Sequence, residues 1–160
     1  MKKILVIGGT GFMGKNIQEI FKSTPHKMFY ESRKTGFDLN DLKLTIDKLN
    51  TISPDIIIFA AAHVGSIGYV SKYAADVIND NSQMYINLYK AVSVSNPKII
   101  IFNPISNCSY PGIIDIQHEE LWWEGPVHTS IESYGTPKKL GFIISECYNR
   151  QYNIKTLNFI

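Results

Sequence analysis

Gly8-Gly9-Thr10-Gly11-Phe12-Met13-Gly14 decides the fold. Before it, Lys3 to Ile7 reads as a short buried strand. After it, Gly14, Ile17, Ile20 and Phe21 recur at three- and four-residue spacing, the mark of a helix. A glycine turn between a strand and a helix suits a dinucleotide, and each glycine then has a task. Gly8 allows the tight turn, Gly11 lets a pyrophosphate approach the backbone, and Gly14 lets the helix pack closely on the sheet. The helix start, with Phe12 and Met13, offers free N–H groups and a partial positive charge to phosphates. The alternative is an ordinary glycine-rich turn.

Outward from this turn, β-branched runs alternate with helical patterns. Strands are expected at Lys27 to Tyr30, at Phe37 to Leu39 (a short third strand), at Ile56 to Ala60, at Lys98 to Phe102 and at Lys155 to Phe159. Leu42, Ile46 and Leu49 form one helical face. A longer helix is expected from Ser82 to Ser95, with Met84, Leu88, Ala91 and Val92 inward. A last helix carries Leu140, Ile144, Cys147 and Tyr148, which places Cys147 in the core. Strands apolar along their length are covered on both faces, which means a parallel sheet between helices. The expected fold is α/β, a doubly wound, Rossmann-like sheet of order 3-2-1-4-5-6, with residues 1–160 as one dinucleotide-binding domain.

Composition removes several function classes. The formal charge is +2 over 160 residues, with no Lys/Arg block, so neither a nucleic-acid footprint nor a polybasic membrane patch is present. The apolar run Asp55 to Ala62 is far too short to span a bilayer. Lys2 and Lys3 before an apolar stretch resemble a signal peptide, but the stretch breaks at once into glycines. The two cysteines, Cys108 and Cys147, lack metal-ligand spacing, and His118-Glu119-Glu120 has no second histidine at helical spacing, so no metal is expected. A reduced, cytoplasmic protein follows.

Tyr134-Gly135-Thr136-Pro137-Lys138 is a Tyr-x-x-x-Lys motif. Four-residue spacing puts both side chains on one helix face, where the ammonium is expected to lower the phenol's pKa towards the working range. The tyrosine can then exchange a proton with a sugar hydroxyl while a nicotinamide exchanges hydride. Pro137 is expected in the first turn, where no intrahelical N–H is needed. Ser106, after the preceding strand, is the candidate third member, stabilising charge on the reacting oxygen.

The glycine spacing, together with Asp38-Leu39, resembles the extended short-chain dehydrogenase/reductases, the NAD-dependent epimerase/dehydratase family. Within them, Ser106-Asn107-Cys108-Ser109-Tyr110-Pro111, Ala60-Ala61-Ala62-His63-Val64-Gly65-Ser66-Ile67 and Glu146-Cys147-Tyr148-Asn149-Arg150-Gln151-Tyr152 resemble segments of GDP-L-fucose synthases, in order along nearly the whole chain. The resemblance implies Ser106, Tyr134 and Lys138 as the catalytic triad and Cys108 as an acid/base in epimerisation; an inert, half-buried thiol is the alternative for Cys108. It implies Asp38 and Leu39 beside the adenine and Ala60, Ala61 and Ala62 along the cofactor. Asp38 as a solvated turn residue, capping the next helix with Asn40, remains equally open. Ser32, Arg33 and Lys34 favour NADP, whereas the neighbouring Glu31 would suit the ribose of NAD.

The implied substrate is a nucleotide sugar, a GDP-linked 4-keto-6-deoxyhexose or a related hexose, and the implied assembly is a homodimer through two helices. A C-terminal substrate domain, with the family's epimerisation histidine, would follow Ile160. His118 and His128 do not take that role. Ile105, Asn107, Thr10 and His63 depart from the family's glycine, serine, arginine and lysine. A sugar-nucleotide 4-epimerase or dehydratase, and a non-catalytic nucleotide-binding or regulatory domain, are the alternatives. The long stretch from Pro111 to Ser130, with Trp122 and Trp123, is either a substrate-side lid or a surface loop whose tryptophans cover the core.

Overall fold

The computed structural model describes residues 1–160. Its centre is a five-stranded, fully parallel sheet of order β2-β1-β3-β4-β5. The strands are β1 (Lys3–Ile7), β2 (Lys27–Glu31), β3 (Ile56–Phe59), β4 (Ile100–Pro104) and β5 (Thr156–Phe159). The helices are α1 (Phe12–Phe21), α2 (Leu42–Ile52), α3 (Ile67–Lys72), α4 (Ala74–Ser95) and α5 (Glu132–Tyr152). The chain leaves β1 for β2 on one side and returns to β3 on the other. The carboxyl ends of β1 and β3 therefore form the switch point at which open α/β sheets bind ligands.

The expected third strand does not form, and the rest of the expected order is kept. Phe37 and Leu39 are buried, but the backbone around them bonds locally. Ser32 and Thr35 close a capping box over the 3-10 turn Arg33–Thr35, and Gly36 ends it in the left-handed region with φ 81°. Phe37 N then returns to Ser32 O at 2.9 Å, and Asp38 accepts from Asn40 N at 3.0 Å. Nothing remains to pair with β2. Asp41, not Asp38 or Asn40, caps α2 through Leu44 N at 2.9 Å.

One face of the sheet is closed and the other half-open. Leu5, Ile7, Ile57, Phe59 and Ile101 meet Tyr85, Leu88, Tyr89 and Val92 of α4 in the main core. On the opposite face Ile56, Ile58, Ile100 and Phe102 are half-buried, and Leu157 and Phe159 lie exposed. Between α4 and α5 the contact is close because Gly141 has no side chain; a Cβ there would strike the Tyr85 ring. The buried residues of α5 are small or functional: Ser133, Gly135, Pro137, Lys138, Gly141 and Ser145. The expected apolar stripe is only half right, since Ile144 and Tyr148 pack on the core but Cys147 is exposed beside Arg150. Pro137 lies more than one turn into α5, not in its first turn, and it removes a donor to the Ser133 carbonyl.

Candidate active site

The glycine turn forms one wall of a cleft. Gly8 sits at φ 93°, and a Cβ there would meet Ala61 N at 2.6 Å. Gly8 N and Gly9 N both donate to Glu31 O, at 2.8 and 3.0 Å, hooking the turn beneath the end of β2. Gly11 begins α1 with no side-chain cap, so the first N–H groups of the helix have no side-chain partner there. The Phe12 side chain is exposed and lines neither main cavity of the cleft, to which the residue offers only backbone. Gly14 lies behind the turn and acts through packing.

Two cavities run along the carboxyl ends of the strands. The larger, about 270 Å³, is lined by Gly8, Gly11, Asp38 and Leu39 on one side and by Ser32, Arg33 and Lys34 on another. The smaller, about 200 Å³, is lined by Met13, Phe59, Ile105, Ser106, Tyr134 and Lys138. Both share Ala60, Ala61 and Ala62, so they form one groove. Two buried asparagines of α4 hold its flanks. Asn81 Nδ2 donates to His63 O at 2.8 Å and its Oδ1 accepts from His63 N at 2.9 Å. Asn87 Nδ2 donates to Leu39 O at 3.0 Å and Asn40 O at 2.9 Å. Neither asparagine was singled out in the sequence. The signal was there: Asn81 stands on the same helical stripe as Met84 and Leu88, where an apolar residue is expected.

At the rim beyond β2, Ser32 Oγ accepts from Thr10 Oγ1 at 2.9 Å and from Lys34 N at 3.2 Å. Arg33 donates to Asp38 at 3.1 Å and to Asp80 at 3.3 Å. Glu31 is engaged elsewhere, accepting from Lys48 at 2.9 Å and from the Thr35 hydroxyl at 2.6 Å. It is thus held out of the cavity, away from the ribose that the NAD alternative gave it.

Tyr134 and Lys138 do face one space, with Lys138 Nζ 5.6 Å from the centre of the Tyr134 ring. The expected lowering of the phenol's pKa is not found here. Burial raises it, helped by the neighbouring Cys108 and opposed by Ser106. Ser106 approaches the phenol without a direct hydrogen bond of good geometry; its Oγ accepts from Cys108 N at 3.2 Å. Lys138 is buried against the faces of Phe59, Tyr85 and Tyr134, with no carboxylate beside it, and burial pushes its ammonium down to about 8.

This burial has a measurable sign. A lysine whose pKa falls from 10.5 in the unfolded chain to about 8 in the fold opposes folding while it is charged. The cost is about 3 kcal/mol at neutral pH, and it fades as pH rises from about 8 to 10.5, where the unfolded chain holds more protons. Lys138→Met is expected to stabilise the chain at pH 7 by up to about 3 kcal/mol, with the gap narrowing above pH 8 and closing only beyond the unfolded pKa of 10.5. Urea unfolding of both proteins across that range checks it; a gap independent of pH would show that the ammonium is not desolvated.

Cys108 lines neither cavity, and is half-buried in the 3-10 turn Asn107–Ser109. That turn is braced from behind. Trp122 Nε1 donates to Ser109 Oγ at 2.7 Å, and Ser109 Oγ donates to Ser106 O at 2.6 Å. Trp122 is buried with Ile105 and Tyr110 and stacks edge-on against Phe142, so it covers a small core as the surface-loop alternative expected. Trp123 is half exposed, under the Lys139 ammonium. His128 pairs with Ser130 on the surface. No three His, Cys, Asp or Glu side chains gather to hold a metal, and no helix is long and apolar enough to cross a membrane.

The NAD dependent epimerase/dehydratase family matches residues 4–160. The chain belongs to this family. Among epimerase/dehydratase relatives, a GDP-L-fucose synthase of Dictyostelium discoideum is 26% identical over 99% of this chain and 50% of its own length. A GDP-L-colitose synthase of Yersinia pseudotuberculosis is 31% identical over 93% of this chain and 48% of its own. The solved GDP-L-fucose synthetase of Naegleria fowleri bound to NADP superposes with a TM-score of 0.84 at 26% identity, covering 98% of this chain and 48% of that one. The chain spans about half the length of the curated relatives it matches.

Proposed function

We propose that this chain is the nucleotide-binding part of an enzyme that epimerises and reduces a GDP-linked 4-keto-6-deoxyhexose with NADPH. The observation that carries the proposal is the single groove. It joins the glycine turn to Tyr134, Lys138 and Ser106 through Ala60–Ala62. The relatives' names, GDP-L-fucose and GDP-L-colitose synthases, support the GDP-linked sugar.

The residues present fit a dinucleotide. Gly11 leaves backbone open to the larger cavity, and Lys138 offers a buried ammonium without an acid partner, which suits ribose hydroxyls. Gly8, Gly11, Met13 and the N–H of Phe12 would hold the phosphates. Asp38 and Leu39 would flank the adenine, and Ser32, Arg33 and Lys34 line the end of the cavity where a 2′-phosphate would lie. NADP in the Naegleria fowleri structure supports that choice, as does the withdrawal of Glu31. When bound, the cofactor supplies a hydride to the sugar's carbonyl carbon.

Tyr134 gives its phenolic proton to the carbonyl oxygen. Burial keeps the phenol protonated at neutral pH, the form a general acid needs. The Ser106 hydroxyl donates to the same oxygen as negative charge grows. Lys138 then stabilises the phenolate left behind. One hydride and one proton convert ketone to alcohol. Cys108, beside Tyr134 though lining neither cavity, is the residue to which the family resemblance gives proton transfer at carbon in the epimerisation. A homodimer through α4 and α5 is supported by Ile86, Val94 and Ile143, exposed on those helices. The two free thiols support a cytoplasmic setting.

Calorimetric titration tests the cofactor: NADPH should saturate the chain, and an absence of binding by both NADPH and NADH overturns it. Saturation by NADPH with no turnover of any GDP-4-keto-6-deoxyhexose would favour a non-catalytic nucleotide-binding domain.

A further inference from the structure

Arg33, Asp38, Asp80 and His63 form one hydrogen-bonded chain beside the larger cavity, in which Arg33, Asp38 and His63 line the cavity and Asp80 joins them from α4. Arg33 comes from the turn after β2, His63 from the loop after β3 and Asp80 from α4. Arg33 Nε donates to Asp38 Oδ2 at 3.1 Å, and Nη2 donates to Asp80 Oδ2 at 3.3 Å. The same Asp80 oxygen accepts from His63 Nδ1 at 3.0 Å, and His63 Nε2 and the Tyr69 hydroxyl are hydrogen-bonded at 2.8 Å. Asn81 clamps the His63 backbone in both directions, so Asp80 and His63 are held to each other by α4 itself.

A guanidinium binds a phosphate best when two parallel N–H bonds are free. Here two of its three nitrogens face carboxylates, and Nη1 alone lacks one. Around this rim two cations, Arg33 and Lys34, meet two carboxylates, Asp38 and Asp80. The Arg33 charge that a 2′-phosphate would meet is therefore offset by two carboxylates. The two carboxylates differ: the Asp38 side chain is 44% exposed and also accepts from Asn40 N, whereas Asp80 is 23% exposed and so less screened.

We propose that Asp80 is a positioning residue that sets cofactor preference: it holds Arg33 away from the 2′-phosphate and keeps the selection of NADPH over NADH small. The proposal rests on the NADP reading above. Freed from Asp80, Arg33 turns its outer edge to the phosphate, while NADH, which has no phosphate there, gains nothing.

Asp80→Asn in the 160-residue chain is expected to tighten NADPH about fivefold, the scale of one hydrogen bond gained when Arg33 is released to the phosphate, and to change NADH by less than about twofold. Asp80→Ser gives a second variant should the amide disturb α4. In an Arg33→Met background the effect of Asp80→Asn should vanish, and exposed Asp76→Asn on the same helix should move neither cofactor. The ratio of the two dissociation constants is decisive, since a merely structural defect shifts both alike. Equal shifts, no shift for NADPH, or weaker NADPH binding would overturn the proposal while leaving the NADP reading intact. A wild-type chain that binds neither cofactor overturns both.

Discussion

Under the proposed function, Tyr134→Phe is expected to lower turnover of a GDP-linked 4-keto-6-deoxyhexose roughly a thousandfold, the usual scale for losing a positioned general acid. NADPH affinity should stay within about twofold, because the ring remains and only the hydroxyl leaves. The phenol has no strong hydrogen bond to the protein in this structure, so stability should hardly change. The effect belongs in kcat, since Tyr134 acts on charge that appears in the transition state. Steady-state kinetics with a parallel NADPH titration separate the two quantities. Full activity in the variant would remove Tyr134 from the mechanism, and an equal loss of cofactor binding would make it a structural residue instead.

Gly14→Val should have the largest effect on the fold and the cofactor together. A Cβ at this position would lie 2.5 Å from Gly8 O, Gly9 C and Gly9 Cα. These are backbone atoms, which cannot rotate aside as a side-chain tip can. Relief requires α1 to move off the turn, at a cost of about 3 kcal/mol or more for overpacking a tight contact. The same movement opens the phosphate cradle, so NADPH affinity should fall at least about tenfold. Urea unfolding and calorimetric titration measure the two losses. Wild-type values for both would mean that the close approach of helix and turn carries no function.

Much of this was legible because its cause is local. The glycines at 8, 11 and 14 need only their neighbours to be understood, since a left-handed φ and a missing Cβ are properties of single residues. Tyr134 and Lys138 share a face because a helix returns every 3.6 residues. The apolar runs of β1, β3 and β4 announce a buried sheet for the same reason. Phe37–Leu39 was misread because burial and strand pairing look alike in a short apolar run, and a capping box satisfied that backbone locally instead. Cys147 was misplaced because the buried stripe of α5 runs through Gly141 and Ser145, flanked by Ile144 and Tyr148, and Cys147 lies off it.

The sequence by itself determined the order of the five strands and of helices α1, α2, α4 and α5, the glycine turn, and the shared face of Tyr134 and Lys138, all of which follow from steric rules acting over a few residues. Tertiary structure alone decided what those groups are worth. It withdrew Glu31 to Lys48, tied Arg33 to Asp80 forty-seven residues away, braced Ser106 through Ser109 and Trp122, and raised rather than lowered the Tyr134 pKa. Electrostatics and desolvation depend on distance in space and on the exclusion of water, and neither is written in the spacing of residues along a chain.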